Sequence, residues 1–559
     1  MAKTTGSDLL INALKSEGVD TLFGIAGDHI LDMLDKMYDE PFRMIDFRHE
    51  SGAVHAADSY ARILRRGAVT LSTTPGHANT IPALANAVHS EAPVINISGA
   101  ADSPNLGRGA MQEFDQIGVA RPVTKGAWQV PSPERIPEFV ALAFRTALSG
   151  RQGPVHLTIP HDFQAAEVDD REAARYAPRE YGLPRKVPGD PSQVAWAIEI
   201  LRNAERPMIF AGSSAGATAD AEVVQKFVET THVPFVSEDS ARALIPDSHE
   251  YSFGLGYLPL NDAARRVAEA DAVLMLGKRL DYTMGFGGSP PFATGAKQIV
   301  VDPSPAEIGR ARTVEVGILG DVGPVLRQLL DEAQKNSWTR RKEWIDSLRR
   351  THNQWMESLN ELASPSDPIH PMFISETLQK YIDDDTHITY DGGDYCHFLR
   401  ASIKRNKPFR FHNVSSFGMI GVGLPYALGA QVALPGKKVV LAVGDGSFGF
   451  NGMEIDTMVR HHLPVKMFLG NNSIWGIDWQ IQKGLYGRPV WTDLLPTRYD
   501  VVAEGLGAHA EHVTKAEQLD GAVKRAFDYD GPALVNIEIA QIISPVAEAA
   551  ISRKLGSHG

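Results

Sequence analysis

GDGSFGFNGMEIDTMVRHHLPVKMFLGNN, residues 444–472, is the stretch from which the rest of the chain can be read. The apolar run KVVLAV (438–443) feeds into Gly444-Asp445-Gly446, NGMEIDTMVRHH (451–462) reads as a helix, and PVKMFLG (464–470) is a second apolar run ending at Asn471-Asn472. Strand, helix, strand in that order predicts two parallel strands whose tips share the sheet edge where open α/β sheets bind ligands. Asp445 and Asn472 are hard oxygen donors, and Gly444 and Gly446 let a diphosphate approach the backbone near a helix start. An aspartate, an amide oxygen, one backbone carbonyl and phosphate oxygens satisfy the octahedron of Mg²⁺. Gly-Asp-Gly alone is an ordinary tight turn. With twenty-four residues between it and Asn-Asn, it points to a Mg-diphosphate site.

Working outward, the same rhythm recurs along 559 residues, a length that must divide into several cores. AVTLSTT (68–74) and PVINISG (93–99) are strand-like runs in a first α/β unit, 1–165. A charged, proline-rich stretch, 166–193, lacks hydrophobic periodicity and is read as a linker. PMIFAGSSAG (207–216), DAVLMLGKRLD (271–281) and KQIVVDPSPAEIGR (297–310) define a central Rossmann-like unit, 194–335. Trp338, Trp344, Leu348, Trp355, Leu359 and Leu362 are partly helix-spaced, so 336–367 is read as a connecting helix and linker. HITYDGGD, KVVLAVGDGSFG, PVKMFLGNN and PALVNIEI mark a third unit, 368–545, followed by a tail, 546–559, that forms a lid helix or stays loose. The predicted class is therefore α/β, with three parallel-sheet domains.

A net charge of -13 argues against general affinity for nucleic acid or anionic membrane. Cys396 is the single cysteine, so intrachain disulfides and cysteine zinc sites are excluded. The N-terminus lacks an apolar signal core and no apolar run reaches a membrane-spanning length, so the expectation is a cytoplasmic protein with no membrane partner.

The Gly444–Asn472 pattern resembles the signature of thiamine diphosphate enzymes of the decarboxylase and acetohydroxyacid synthase superfamily, and the resemblance runs along nearly the whole chain. It implies pyrimidine-binding, central Rossmann-like and diphosphate-binding domains, with Asp445, Asn472 and the Ile474 carbonyl holding Mg²⁺ and Ser447 and Trp475 beside the cofactor. RHESGAVHAADSYAR (48–62) is similar to the family's glutamate motif and sets Glu50 against the pyrimidine N1′; a carboxyl exchanging a proton there is expected in an apolar pocket. SSFGMIGVGLPYALGA (415–430) looks like the segment under the cofactor, with Ile420 enforcing its bent shape and the Gly418 carbonyl accepting from N4′. GDHI (27–30) and GAMQEFDQIGVARPVTK (109–125) occupy substrate-facing places, making His29 and Gln112 candidates for moving a substrate proton and orienting a carbonyl. His77, in TTPGHAN (73–79), is a further substrate-facing candidate.

Within the family the votes divide. GDHI and NNSIWGIDWQ (471–480) look like benzaldehyde lyase and acetolactate synthase, whereas EFDQ (113–116) and TDLLPTRYD (492–500) resemble 2-hydroxyacyl-CoA lyase and oxalyl-CoA decarboxylase. LGKRLDYTMGFGG (276–288) is intermediate and lacks the run expected of a flavin site. Arg400, Lys404, Arg405, Lys407 and Arg410 form a basic cluster suited to phosphate, or simply to a solvated face. On balance the expectation is a lyase cleaving a 2-hydroxyacyl-CoA to formyl-CoA and an aldehyde or ketone, with a carboligase or lyase on free 2-keto acids or 2-hydroxy ketones as the alternative. Arg405 is a substrate candidate, and ADP or CoA a candidate for the central domain. The glutamate and metal motifs fall in different domains, so the resemblance implies a homodimer or homotetramer with sites between chains. A cofactor-binding scaffold without turnover is disfavoured by the presence of Glu50, Asp445 and Asn472 together.

Overall fold

Parallel strands buried on both faces account for most of the chain's apolar runs. The computed structural model describes residues 4–178 and 186–556, so residues 179–185 of the expected linker and 557–559 of the expected tail lie outside the described residues. Contacts divide the chain into two compact units. One takes in 1–185, 414–435 and 451–463; the other comprises 186–413, 436–450 and 464–559.

In the first unit, β1 (Thr4–Thr5) is followed by β2 (Thr21–Gly24), β3 (Arg43–Asp46), β4 (Ala68–Ser72), β5 (Val94–Ala100), β6 (Ala127–Gln129), β7 (Val155–Pro160) and β8 (Glu167–Val168). β1 and β8 pair as an antiparallel ribbon, and the others form a parallel sheet in the order β3-β2-β4-β5-β7-β6. β5 is buried at every position, as a strand covered on both faces must be. Strand order reverses between β2 and β4, so the loops after them, which carry His29 and Thr73-Thr74, open at a topological switch point.

The helix Glu50–Leu64 packs on the helix Gly423–Ala433, which is buried at all of its positions. Their seam is polar in one place. Asn86 Nδ2 donates to the Tyr426 hydroxyl at 2.7 Å, that hydroxyl donates to Asp58 at 3.1 Å, and Arg62 Nε pairs with Asp58 at 2.6 Å. Ser415 Oγ donates to Asn86 Oδ1 at 2.8 Å, which ties the Gly418–Ile420 loop to the same network.

In the second unit, β9 (Pro207–Ala211), β10 (Phe235–Ser237), β11 (Ser252–Leu255), β12 (Ala272–Leu276), β13 (Lys297–Asp302) and β14 (Val316–Leu319) form a six-stranded sheet in the order β11-β10-β9-β12-β13-β14. β15 (His387–Tyr390), β16 (Phe411–His412), β17 (Val439–Gly444), β18 (Lys466–Asn471), β19 (His509–Val513) and β20 (Ala533–Glu538) form another, in the order β16-β15-β17-β18-β20-β19. The three parallel six-stranded sheets make the protein α/β with three layered domains. β17 and β18 run side by side with Gly444 paired to Gly470, so Asp445 and Asn472 leave neighbouring tips at one edge.

Local structure exceeds the sequence reading in two places. Within 166–193, Asp169 accepts from the Arg171 N–H and starts the helix Asp170–Tyr176, and β8 closes the ribbon with β1. The helix Pro191–Asn203 also begins there, with Asp190 as its cap. The tail forms a helix, Pro545–Gly556, and the connecting helix spans Lys342–Glu361 with Trp344, Leu348 and Leu359 buried. Among the described residues no helix is long and apolar enough to cross a membrane.

Candidate active site

At the edge of the third sheet, Asp445 heads the helix Asp445–Asn451 directly after β17 and is 3% exposed. Its Oδ2 accepts from the Ser473 N–H at 2.8 Å. Burial pushes this carboxyl up to about 6, against the pull of hydrogen bonds from Gly446 and Ser473. A buried carboxylate with no cationic side chain among the causes of its shift is a place where a bound cation lowers the energy.

Asn472 Oδ1 accepts from the Ile474 N–H at 3.3 Å, and the Asn472 carbonyl accepts from Gln541 Nε2 at 2.8 Å. Ser473 sits at φ 58, and the strip 492–494 grips this turn: Trp475 N–H donates to Thr492 O at 2.8 Å and Leu494 N–H to Ser473 O at 2.7 Å. Trp475 lies over Gly446, where a Cβ would come within 2.6 Å of the indole, so only glycine leaves the backbone there free beside the ring. Ser447 is buried, its hydroxyl 3.5 Å from Gly392 O. Asp445, the Asn472 amide and the Ile474 carbonyl are an all-oxygen set that could hold Mg²⁺, with the Gly444–Ser447 turn left for phosphate.

One residue of this edge escaped the sequence reading. Asp394, heading the helix Asp394–Ser402, is 4% exposed, and its Oδ1 accepts the Ser544 hydroxyl. Among the described residues its buried Oδ2 has no hydrogen-bond partner, and it lies 3.3 Å from where a Cβ on Gly476 would stand. Burial raises this carboxyl to about 7.

In the first unit, Glu50 begins its helix after the extended cap His49. Glu454, in the helix Glu454–Arg460 of the deciding segment, fixes that start by accepting the N–H groups of Arg48 at 3.2 Å and His49 at 3.1 Å. Glu50 Oε2 accepts from Asn79 Nδ2 at 3.0 Å, and Oε1 lies 2.7 Å from where a Cβ on Gly76 would be. Gly76 and Asn79, three apart on the helix Thr74–Ser90, share the face turned to Glu50. Gly76→Ala is expected to displace the carboxylate while sparing the fold. Turnover should fall about tenfold or more with an unchanged melting temperature, measured by steady-state kinetics and calorimetry.

The neighbouring face of the same helix points inward. His77 is fully buried, stacks on His156 with ring centroids 3.9 Å apart, and has Nε2 3.1 Å from Gln116 O. Burial holds it at about 4. His29, on the single turn Asp28–Ile30, is 6% exposed with Nδ1 3.2 Å from both Thr73 and Thr74 Oγ1. Burial lowers its pKa, assisted by His161 and opposed by Asp28 and Asp102. Gln112 lies exposed at φ 58 on a turn whose amides Gly109 and Ala110 bond the Glu113 carboxylate at 2.9 and 3.1 Å. The buried amide of that region is Gln116, 3% exposed. Gly418, at φ 72, and Ile420 sit in the loop before the helix Gly423–Ala433.

The candidates therefore fall into two groups. Glu50, His29, His77, Gln112, Gly418 and Ile420 belong to the first unit, and Gly444, Asp445, Gly446, Ser447, Asn472, Ile474, Trp475 and Arg405 to the second. Arg405 is 1% exposed; its backbone N–H donates to Asp247 at 2.8 Å and its guanidinium to Thr386 O. The basic cluster is otherwise largely paired, Arg400 with Asp239 and Lys407 with Asp385.

An oxygen-lined sheet edge beside a glycine turn, with a separate helix-start glutamate, defines a cofactor-dependent α/β enzyme. The chain belongs to the thiamine pyrophosphate enzyme family, matching its N-terminal TPP binding domain at 4–119, its central domain at 194–329 and its C-terminal TPP binding domain at 391–537. It is 31% identical to the oxalyl-CoA decarboxylase of Escherichia coli over 556 residues, covering 97% of this chain and 96% of the relative. It is 32% identical to the acetolactate synthase large subunit of Corynebacterium glutamicum over 555 residues, 96% of this chain and 87% of that one. It is also 31% identical to the acetolactate synthase large subunit IlvG of Mycobacterium tuberculosis, over 95% and 94% of the two chains.

Proposed function

We propose that this protein is a thiamine diphosphate- and Mg²⁺-dependent carbon–carbon lyase that cleaves a 2-hydroxyacyl-CoA into formyl-CoA and an aldehyde or ketone, a reaction that in reverse is a one-carbon carboligation. A cavity of about 230 Å³ in the second unit carries the thioester reading. Arg242, Arg349, His352, Asn353 and Lys404 line its polar side and Leu255, Leu260, Trp355 and Met356 its apolar side. Arg242 pairs with Asp247 at 2.7 Å, yet among the described residues its Nη1 is buried without a partner, as is His352 Nδ1. The unmatched Arg242 N–H beside Lys404, with Asp247 the one acidic group in the lining, suits the phosphates of a nucleotide-bearing thioester, and the apolar wall suits its alkyl arm. The relative that acts, by name, on a CoA thioester supports the same reading. The subunits are proposed to assemble as a homodimer or homotetramer.

When bound, thiamine diphosphate supplies the electron sink for the bond that breaks. Asp445, the Asn472 amide oxygen and the Ile474 carbonyl would hold Mg²⁺, which would supply positive charge for a diphosphate. Glu50 would hold or move the proton at the pyrimidine ring, its carboxylate placed by Asn79 and Gly76. His29 Nε2 takes the proton of the 2-hydroxyl as the C1–C2 bond opens, and the C1 fragment gains a proton before leaving as formyl-CoA.

Incubation of the purified protein, thiamine diphosphate and Mg²⁺ with a short 2-hydroxyacyl-CoA should give formyl-CoA and the matching carbonyl compound by mass spectrometry. Acetolactate from pyruvate in a parallel tube, with the thioester intact, would assign the protein to carboligation of free 2-keto acids instead. Arg242→Ala should raise KM for the thioester about tenfold and leave cofactor retention unaltered.

A further inference from the structure

The switch-point edge of the first sheet contains a buried polar network that reaches His29 through Gln116 and Thr74. Gln116 Nε2 lies 2.9 Å from Gly99 O and 2.9 Å from Thr74 Oγ1, and its Oε1 accepts from Thr158 Oγ1 at 2.9 Å. The amide cannot be flipped, because its oxygen would then face the Gly99 carbonyl. Thr158, having given its proton to Gln116, accepts from His156 Nε2 at 2.8 Å, and His156 Nδ1 lies 3.1 Å from both Asn96 Nδ2 and the Asn96 carbonyl. Asn96 Nδ2 also donates to His77 Nδ1 at 3.0 Å, so His77 Nε2 carries the hydrogen donated to Gln116 O at 3.1 Å.

The network ends at His29. Thr74 Oγ1 accepts from Gln116 and lies 3.2 Å from Gly99 O, to which its own proton can go, leaving its second lone pair for His29 Nδ1 at 3.2 Å. Thr73 Oγ1, also 3.2 Å from Nδ1, is a second oxygen able to accept from it. The His29 backbone is pinned independently, its carbonyl accepting from Gln164 Nε2 at 2.6 Å. An imidazole whose Nδ1–H is held by oxygen acceptors presents Nε2 as a base, and the protonated ring needs those same acceptors.

We infer that Thr74 and Gln116 are positioning residues for His29, fixing its Nδ1 edge to the fold so that Nε2 can take and return a substrate proton. The inference rests on the proposed role of His29 in proton transfer. Other titratable groups facing the ring are His161, which opposes its protonation, and Asp28 and Asp102, which favour it. Loss of the Thr74 oxygen removes an acceptor that the imidazolium uses, so the His29 titration moves to lower pH.

The test uses the full-length chain in two assays. Residue-resolved modification by diethyl pyrocarbonate, followed by mass spectrometry across pH without cofactor, reads the titration of His29, and the pH profile of kcat reads its use. Thr74→Val should shift the His29 modification midpoint and the acid limb of kcat to lower pH and cut kcat about tenfold, whereas Thr74→Ser should keep all three near wild type. Thr74→Ala repeats the hydroxyl loss should the valine variant fold poorly. Added to His29→Ala, Thr74→Val should cost nothing more, because its effect passes through the imidazole. An unmoved midpoint, or a full additional penalty in the double variant, would overturn the inference. Retained turnover in His29→Ala would instead sink the proton-transfer role, while the modification midpoint still decides whether Thr74 positions the ring.

Discussion

Glu50→Gln is expected to give a folded protein that retains thiamine diphosphate but has lost its turnover. The substitution is close to isosteric, and the geometry tolerates it: Asn79 Nδ2, 3.0 Å from Oε2, can donate equally to a glutamine oxygen, and the contact over Gly76 depends on side-chain shape. The helix start itself is set by Glu454 through the Arg48 and His49 N–H groups, so it does not depend on the charge of Glu50. An amide cannot carry a proton to and from a ring nitrogen. Loss of a positioned acid–base group costs kcat on the order of 10²- to 10⁴-fold. Turnover should therefore fall to that extent while cofactor retention, followed by equilibrium dialysis, changes little. Persistent turnover would remove Glu50 from proton exchange. Gly76→Ala bears on the same carboxylate from the other side, by moving it without changing its chemistry.

The parts of this protein that were legible in the sequence are those whose chemistry is local. A strand ending in Gly-Asp-Gly and another ending in Asn-Asn fix two tips of a parallel sheet by their spacing, and β17 and β18 pair with those tips side by side. The helix start that carries Glu50 was legible through a contiguous motif. Residues supplied by tertiary packing were not. Gly76 and Asn79 stand in the stretch that drew attention to His77, but only the orientation of the helix Thr74–Ser90 shows which face meets Glu50. Gln112 and Gln116 are equivalent in composition, and only burial distinguishes an exposed turn amide from one with every polar atom of its side chain committed. The basic run 400–410 suggests one anion site by charge alone. In the fold Arg400 and Lys407 spend their charge on aspartates, and Lys404 joins Arg242 and Arg349, which are remote in sequence, around the cavity.

Asp445→Ala separates what the site costs from what it binds, because it is expected to move the apo and loaded proteins in opposite directions. The aspartate is 3% exposed, and burial raises its carboxyl from the ordinary 3.8 to about 6. A carboxyl raised in the folded state binds its proton more tightly there than in the unfolded chain. It therefore contributes nothing adverse below about pH 4, and it costs stability progressively as pH rises through about 6. At pH 7.5 that cost is on the order of 3 kcal/mol for the metal-free protein. Alanine removes it, so apo Asp445→Ala should melt at or above the wild-type temperature. With Mg²⁺ and thiamine diphosphate the order should reverse. Ligand held at a thousand times its Kd stabilises the folded state by about 4.1 kcal/mol, more than the carboxylate costs, and a chain lacking the carboxylate forgoes that gain. Calorimetry of both chains, with and without Mg²⁺ and cofactor, reads the crossing directly. Parallel stabilisation of wild type and variant by Mg²⁺ and cofactor would take Asp445 out of the metal site. A destabilised apo variant would show that the Ser473 N–H bond at 2.8 Å matters more to the turn than the buried charge costs it.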